Sequence, residues 1–139
     1  MILYADSSAL VKLYVVEEGS ADVERWVAEA DEVWTSIVAY SEVSAGLARR
    51  LRDGTLLPVH HTQALADFCA DWPHMNIVSV DQAITQLGGA LALRHALRGF
   101  DAIHLACALN VVSMGDVRVA VYDHRLRHAV EASGLALAR

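Results

Sequence analysis

Of the 17 Asp and Glu residues in the chain, four stand where a carboxylate calls for a reason. Asp6 follows the short apolar run Ile-Leu-Tyr-Ala, and Asp123 follows Val-Arg-Val-Ala-Val-Tyr. Taken singly, each is explained as a helix N-cap, a role that Asp fills well because its side chain accepts a free backbone N–H of the first turn. Glu42 is harder to dismiss. On a helix its neighbours three and four positions away are Val38, Ala39, Ala45 and Gly46, a small and apolar face on which an unpartnered carboxylate is costly. Asp101 opens Asp-Ala-Ile-His-Leu-Ala-Cys-Ala-Leu, where it and His104 are the only groups that ionise near neutral pH. Capping accounts for Asp101 too, but a helix this apolar must be central, so its start is expected inside a cleft. Carboxylates gathered in one pocket raise one another's pKa values, and a divalent cation removes the conflict. An all-oxygen donor set suits Mg²⁺ or Mn²⁺ better than zinc.

Elements able to bring these four together can be read from periodicity and punctuation. Residues 2–5 read as a strand, Asp6-Ser7-Ser8 as a helix start, and residues 9–16 as the helix. Ser20 begins a second helix to about Ala30, with Val23, Trp26, Val27 and Ala30 at helical spacing. Residues 32–35 read as a strand, and Ser36 as the cap of a long helix ending near Asp53-Gly54. Pro58 suits the first position of a helix running to Trp72-Pro73. A strand follows over 76–80, and Asp81 caps a helix to about His95. Gly88-Gly89 inside that helix costs about 1 kcal/mol each relative to alanine, which points to close packing there. The segment 97–100 leads to the helix 101–112, residues 117–122 form a strand, the helix 123–133 ends at Gly134, and 135–138 closes as an edge strand. Strands alternating with helices predict a parallel sheet with helices on both faces. In such a sheet, ligands bind beyond the carboxyl ends of the strands, where Asp6 and Asp123 lie.

The 139 residues fit one domain, 1–139, without repeat or linker, and a chain of this length buries about two-thirds of its unfolded surface. Hydrophobic residues at 55% and charged ones at 20% describe a globular chain. No run approaches the roughly eighteen apolar residues of a membrane span, and the opening Met-Ile-Leu-Tyr-Ala-Asp is not expected to be a secretion signal. Cys69 and Cys107 match no metal or redox spacing and are read as reduced thiols in a cytoplasmic protein. The net charge of −6 argues against a simple electrostatic nucleic-acid binder.

Four blocks carry a family likeness. Asp6-Ser-Ser-Ala-Leu-Val-Lys-Leu-Tyr resembles the opening motif of the PIN domain, and Ser41-Glu42-Val-Ser-Ala its second. Phe100-Asp101-Ala-Ile-His-Leu-Ala is similar to its third, and Val121-Tyr122-Asp123-His-Arg-Leu to its fourth. Each block alone is weak, but four in order and at the family's spacing are strong, and they cover nearly the whole chain. The subgroup it resembles is the VapC-type toxins of type II toxin–antitoxin pairs. That resemblance implies a three-layer α/β/α sandwich around a parallel sheet of four to five strands. It also implies a Mg²⁺- or Mn²⁺-dependent endoribonuclease leaving a 5′-phosphate and a 3′-hydroxyl, a cognate antitoxin covering the site, and a homodimer. Carried over, Asp6, Glu42 and Asp101 form the acidic triad and Asp123 the more variable fourth position. Ser8, with Ser7 beside it, stands where the family keeps a hydroxyl that positions the site; serine replaces the commoner threonine at position 7. An ion of this kind lowers the pKa of a bound water and offsets charge on the phosphate.

His104, one turn from Asp101, is tempting as a general base but is read as a packing histidine, because the family motif needs no histidine base. His60, His61, His74, His95, His124 and His128 are taken as surface or packing residues. Lys12, Arg98, Arg125 and Arg127 lie near the motifs and suit RNA phosphates or plain solvation alike. Trp26, Trp34 and Trp72 are read as core or interface anchors. Two other Mg²⁺-dependent phosphoryl chemistries fit less well. A phospho-acceptor receiver wants a late lysine, yet none follows Lys12; an aspartate-type phosphatase wants Asp-x-Asp where this chain has Asp6-Ser7-Ser8. A non-catalytic PIN-shaped binding domain predicts a degraded acidic set, and all four acids are present.

Overall fold

The structure is a computed structural model describing residues 1–139. Its first strand, β1 (Ile2–Ala5), is buried along its whole length, as an uninterrupted apolar strand must be when both faces of a sheet are covered. β1 pairs in parallel with β2 (Glu32–Ser36) on one side and with β4 (Val117–Ala120) on the other. β3 (Asn76–Val78) and β5 (Ala136–Leu137) complete a five-stranded, all-parallel sheet of order β3-β2-β1-β4-β5. The chain moves outward from β1 first to one edge and then to the other. The ends of β1 and β4 therefore flank a topological switch point, where a crevice opens.

Alternation along β1 sorts the core into two layers. Ile2 and Tyr4 face one layer, with Val78, Ile84, Leu105, Val119 and Leu126. It is covered by α5 (Gln82–His95), α6 (Gly99–Val111) and α7 (His124–Ala132). Leu3 and Ala5 face the other, with Leu10, Val23, Val43, Leu47 and Phe68. Its cover is α1 (Ser7–Leu10), α2 (Ser20–Glu29), α3 (Ala39–Asp53) and α4 (Pro58–Asp71). α6 is central, as its composition requires: Ala102, residues 104–108 and Val111 are all buried. No helix is long and apolar enough to cross a membrane.

Local expectations hold unevenly. Asp6, Asp81 and Asp123 all act as N-caps, accepting the N–H groups of Ala9, Ile84 and Leu126 at 3.0, 2.9 and 2.9 Å. Ser36 does not cap a helix. It stays in the β ladder opposite Val78, and α3 starts at Ala39 with Val38 as a cap that lends no side chain. The helix expected over 9–16 is only α1 plus a 3₁₀ turn, Val11–Leu13. Beyond it Ser20 Oγ bonds the Val15 carbonyl and the Glu17 N–H, which folds the chain back. The close packing expected at Gly88-Gly89 is absent at Gly89, which faces nothing within 4 Å; at Gly88 an added Cβ would meet Ile103 at an ordinary 3.5 Å. Gly19 is the demanding glycine. Its φ is +89°, and a Cβ there would lie 2.5 Å from the Tyr122 hydroxyl.

Candidate active site

β1 ends at Ala5, and the ladder continues one step as the Asp6 N–H donates to the Ala120 carbonyl at 3.1 Å. That bond holds Asp6 level with the end of β4. Asp6 is buried, and its two oxygens have different surroundings. Oδ1 caps α1 and accepts the Ser8 hydroxyl at 2.6 Å, while Oδ2 takes no hydrogen bond from the protein. Ser8 Oγ in turn accepts the Tyr122 N–H at 2.9 Å, tying Asp6 to the connection between β4 and α7. Burial pushes the Asp6 carboxyl up to about 6. His104, the Ser8 hydroxyl and the Ala9 N–H oppose the rise, and Glu42 adds to it.

Asp101 is not at the start of its helix. α6 begins at Gly99 with Arg98 as its N-cap residue, so the capping explanation fails for Asp101, which stands at the third helical position. Its Oδ2 accepts Arg98 Nε at 2.9 Å. A second nitrogen of the same guanidinium reaches Asp123 Oδ2 at 3.5 Å, while Asp123 Oδ1 caps α7. Asp101 and Asp123 raise the Arg98 pKa further. From α3, Glu42 presents Oε1 to His104 Nε2 at 2.6 Å, and Oε2 has no protein partner.

One open cleft of about 450 Å³ is lined by Asp6, Ser7, Ser8, Glu42, Asp101 and Asp123, together with Lys12, Arg49, Arg50 and Arg98. All the acids singled out in the sequence are therefore brought to one place, with Ser8 among them. They are not drawn onto a single point: no group of three His, Cys, Asp or Glu side chains is close enough to hold an ion as it stands. Mutual repulsion and separate partners explain the spread. Asp6 leans on Ser8, Glu42 on His104, and Asp101 and Asp123 on Arg98. The donor set nevertheless fits a hard divalent cation, since Asp6, Glu42 and Asp101 each keep one oxygen free of protein hydrogen bonds.

The basic rim is partly spent. Glu17 holds Lys12 at 3.0 Å and Arg50 at 3.0 Å, and those two cations hold its carboxyl below the usual glutamate range against its partial burial. Lys12 also lies 4.4 Å from the centre of the Tyr122 ring. One histidine does more than the sequence suggested. His104 is buried, but it is more than packing, because it also contacts the Tyr4 hydroxyl at 2.9 Å. The signal was present: a histidine three positions after Asp101 on an otherwise apolar helix. His124 and His128 are exposed, as expected of surface residues, and line an open cavity with His95, Ala96 and Arg125. A further cavity of about 500 Å³, lined by Tyr14, Val15, Val16, Leu56 and His60, shares Glu17 and Arg50 with the acidic cleft.

Residues 3–131 match the family model of the PIN domain. Ribonuclease VapC49 of Mycobacterium tuberculosis (strain ATCC 25618 / H37Rv) is 39% identical over 137 residues, covering 99% of this chain and 94% of its own length. The crystal structure of VapC20 from Mycobacterium tuberculosis, described as a sarcin–ricin loop cleaving toxin, superposes with a TM-score of 0.72 at 18% identity, covering 99% of this chain and 98% of that one. A toxin–antitoxin complex from Klebsiella pneumoniae gives a TM-score of 0.64 at 18% identity, over 88% and 87% of the two chains.

Proposed function

The chain belongs to the PIN-domain family, and from that premise we propose that it is a Mg²⁺- or Mn²⁺-dependent endoribonuclease acting as the toxin of a toxin–antitoxin pair. The observation that carries the reading is the meeting of Asp6, Glu42, Asp101 and Asp123 in one cleft at the switch point of the sheet. Residues 1–139 are taken as one PIN domain. Asp6, Glu42 and Asp101, with Asp123 as the fourth acid, would hold the ion. Ser8 keeps Asp6 turned so that Oδ2 faces away from the cap. When bound, the ion supplies a hydroxide near neutral pH and offsets charge developing on the phosphodiester. Arg49, which lines the cleft without an ion pair, and Arg98 suit the flanking phosphates.

The partner reading rests on two features. Arg98 already pairs with Asp101 and Asp123, so the cleft accepts a guanidinium of the kind an antitoxin tail would bring. The neighbouring cavity has an apolar wall and an exposed Val16, which suits an antitoxin segment running into the cleft. A homodimer is proposed on the family alone. Two free cysteines, Cys69 and Cys107, agree with a reducing cytoplasm.

The deciding experiment is expression with and without the adjacent small gene, with mapping of RNA ends. Growth arrest alone, rescue by the neighbour, and new 5′-phosphate ends that vanish in Asp6→Asn are expected. Unaffected growth under verified expression of folded protein removes the toxin reading. A melting temperature that responds equally to Mn²⁺ in wild type and Asp6→Asn removes the shared ion site.

A further inference from the structure

Beneath the floor of the cleft, one side chain on α6 joins two other elements. His104 is 1% exposed. Its Nε2 lies 2.6 Å from Glu42 Oε1 on α3. Its Nδ1 lies 2.9 Å from the hydroxyl of Tyr4 on β1, whose ring stands edge-on at 6.1 Å between centroids and 70° between planes. We propose that Tyr4 and His104 form a buried hydrogen-bonded relay that fixes the Glu42 carboxylate, making His104 a positioning residue for the acidic site rather than a base. The role rests on the functional reading given above.

The direction of the relay follows from the inventory of donors. A carboxylate only accepts, so Nε2 must carry the hydrogen shared with Glu42. The Tyr4 hydroxyl engages Nδ1 at 2.9 Å, so both ring nitrogens are held and the ring cannot turn away from Glu42. Fully buried on α6, His104 has no freedom to follow Glu42 elsewhere; instead Glu42, a flexible side chain on another helix, is held to His104. The fixed oxygen is Oε1, and Oε2 is the one left free. Partners of this kind orient metal-binding carboxylates, and their loss typically costs about 10- to 100-fold in metal affinity.

The test compares wild type with His104→Leu, His104→Gln and Tyr4→Phe, each first checked for cooperative thermal unfolding in chelator. Glutamine can reproduce the N–H toward Glu42, whereas leucine cannot. Titration with Mn²⁺ alone is expected to show weakening of about tenfold or more in His104→Leu. Near-wild-type affinity is expected in His104→Gln, and a loss of a few-fold in Tyr4→Phe. For RNA cleavage, the Mg²⁺ concentration giving half-maximal rate should rise while the rate at saturating Mg²⁺ falls much less. Unchanged Mn²⁺ affinity in His104→Leu, or equal damage in His104→Gln, overturns the relay. Nitrogen NMR of the His104 ring in metal-free protein gives an independent reading. A hydrogen on Nε2 is expected, with its shift changed by Glu42→Gln; a bare Nε2, or no response to Glu42→Gln, overturns the relay whether or not the protein cleaves RNA. Conversely, wild-type protein that neither binds Mn²⁺ nor cleaves RNA sinks the nuclease reading and leaves the ring measurement to judge the relay as a structural tie.

Discussion

A carboxylate has two oxygens, and much of this site follows from their division of labour. The sequence posed capping and ion binding as rivals for Asp6 and Asp123. In the fold both acids cap a helix with Oδ1, which leaves Oδ2 for other work. Asp6 also illustrates the cost. Burial has moved its carboxyl from an ordinary value of 3.8 to about 6, so in metal-free protein at neutral pH the charge is kept against a penalty of about 2–3 kcal/mol. Below about pH 4 neither the folded nor the unfolded chain carries this charge, and the penalty is absent; it grows as pH rises through about 6 and is complete above it. Asp6→Asn, which keeps an acceptor for Ser8 and Ala9, should therefore be more stable than wild type in chelator at pH 7.5. The advantage should fade as pH is lowered toward 4. Denaturant melts at several pH values check this, and a constant difference between the two proteins contradicts it. Residue types alone could reveal the four acids. They could not reveal the partners of each, because Ser8 with Tyr122 and Glu42 with His104 are contacts between elements distant in the chain.

At the scale of elements, the sequence set the order of strands and helices correctly, and it erred at the boundaries. Ser36 looked like a cap because its chemistry allows one, yet pairing with β3 holds it in the sheet. The start of α6 matters more. Beginning at Gly99 instead of Asp101 places Asp101 inside the first turn and leaves Arg98 as the N-cap residue whose guanidinium spans Asp101 and Asp123. Arg98 is 70% exposed, and its charge competes with any cation seeking those carboxylates. Arg98→Ala is expected to tighten Mn²⁺ binding a few-fold while weakening RNA binding. The measurement is a pair of titrations, one with Mn²⁺ alone and one with RNA in chelator. Weaker Mn²⁺ binding in the variant would show that the arginine helps shape the site instead of competing for it.

Over the whole molecule, the charge of −6 seemed to oppose a nuclease. The cleft lining holds five carboxylates, Asp6, Glu17, Glu42, Asp101 and Asp123, and four cations, Lys12, Arg49, Arg50 and Arg98, a balance of −1, so most of the −6 lies elsewhere and the cleft itself repels RNA little. The cations nearby are mostly committed: Glu17 engages Lys12 and Arg50, and Asp101 and Asp123 engage Arg98. Few are free to release counterions from phosphates, so RNA affinity in Mg²⁺ should depend only weakly on salt, with a logarithmic slope of about −2 or shallower. A steep slope that persists in chelator would expose a basic surface this account lacks. Composition could flag the excess of acid. The pairing of the cleft acids with nearby cations required the fold.

The position of β1 has a consequence for how the molecule breathes. Strand β1 is hydrogen-bonded on both sides and buried throughout, and its ladder runs one residue further into Asp6. Local openings begin in exposed segments with few buried contacts and leave central strands for last. The backbone of Asp6 thus belongs to the part of the chain that lets go only when everything does, whereas the Arg98 side chain at the cleft mouth is 70% exposed. Release of that guanidinium from Asp101 and Asp123 needs only side-chain rotation, and it leaves undisturbed the carboxylate anchored to the slowest amides of the protein.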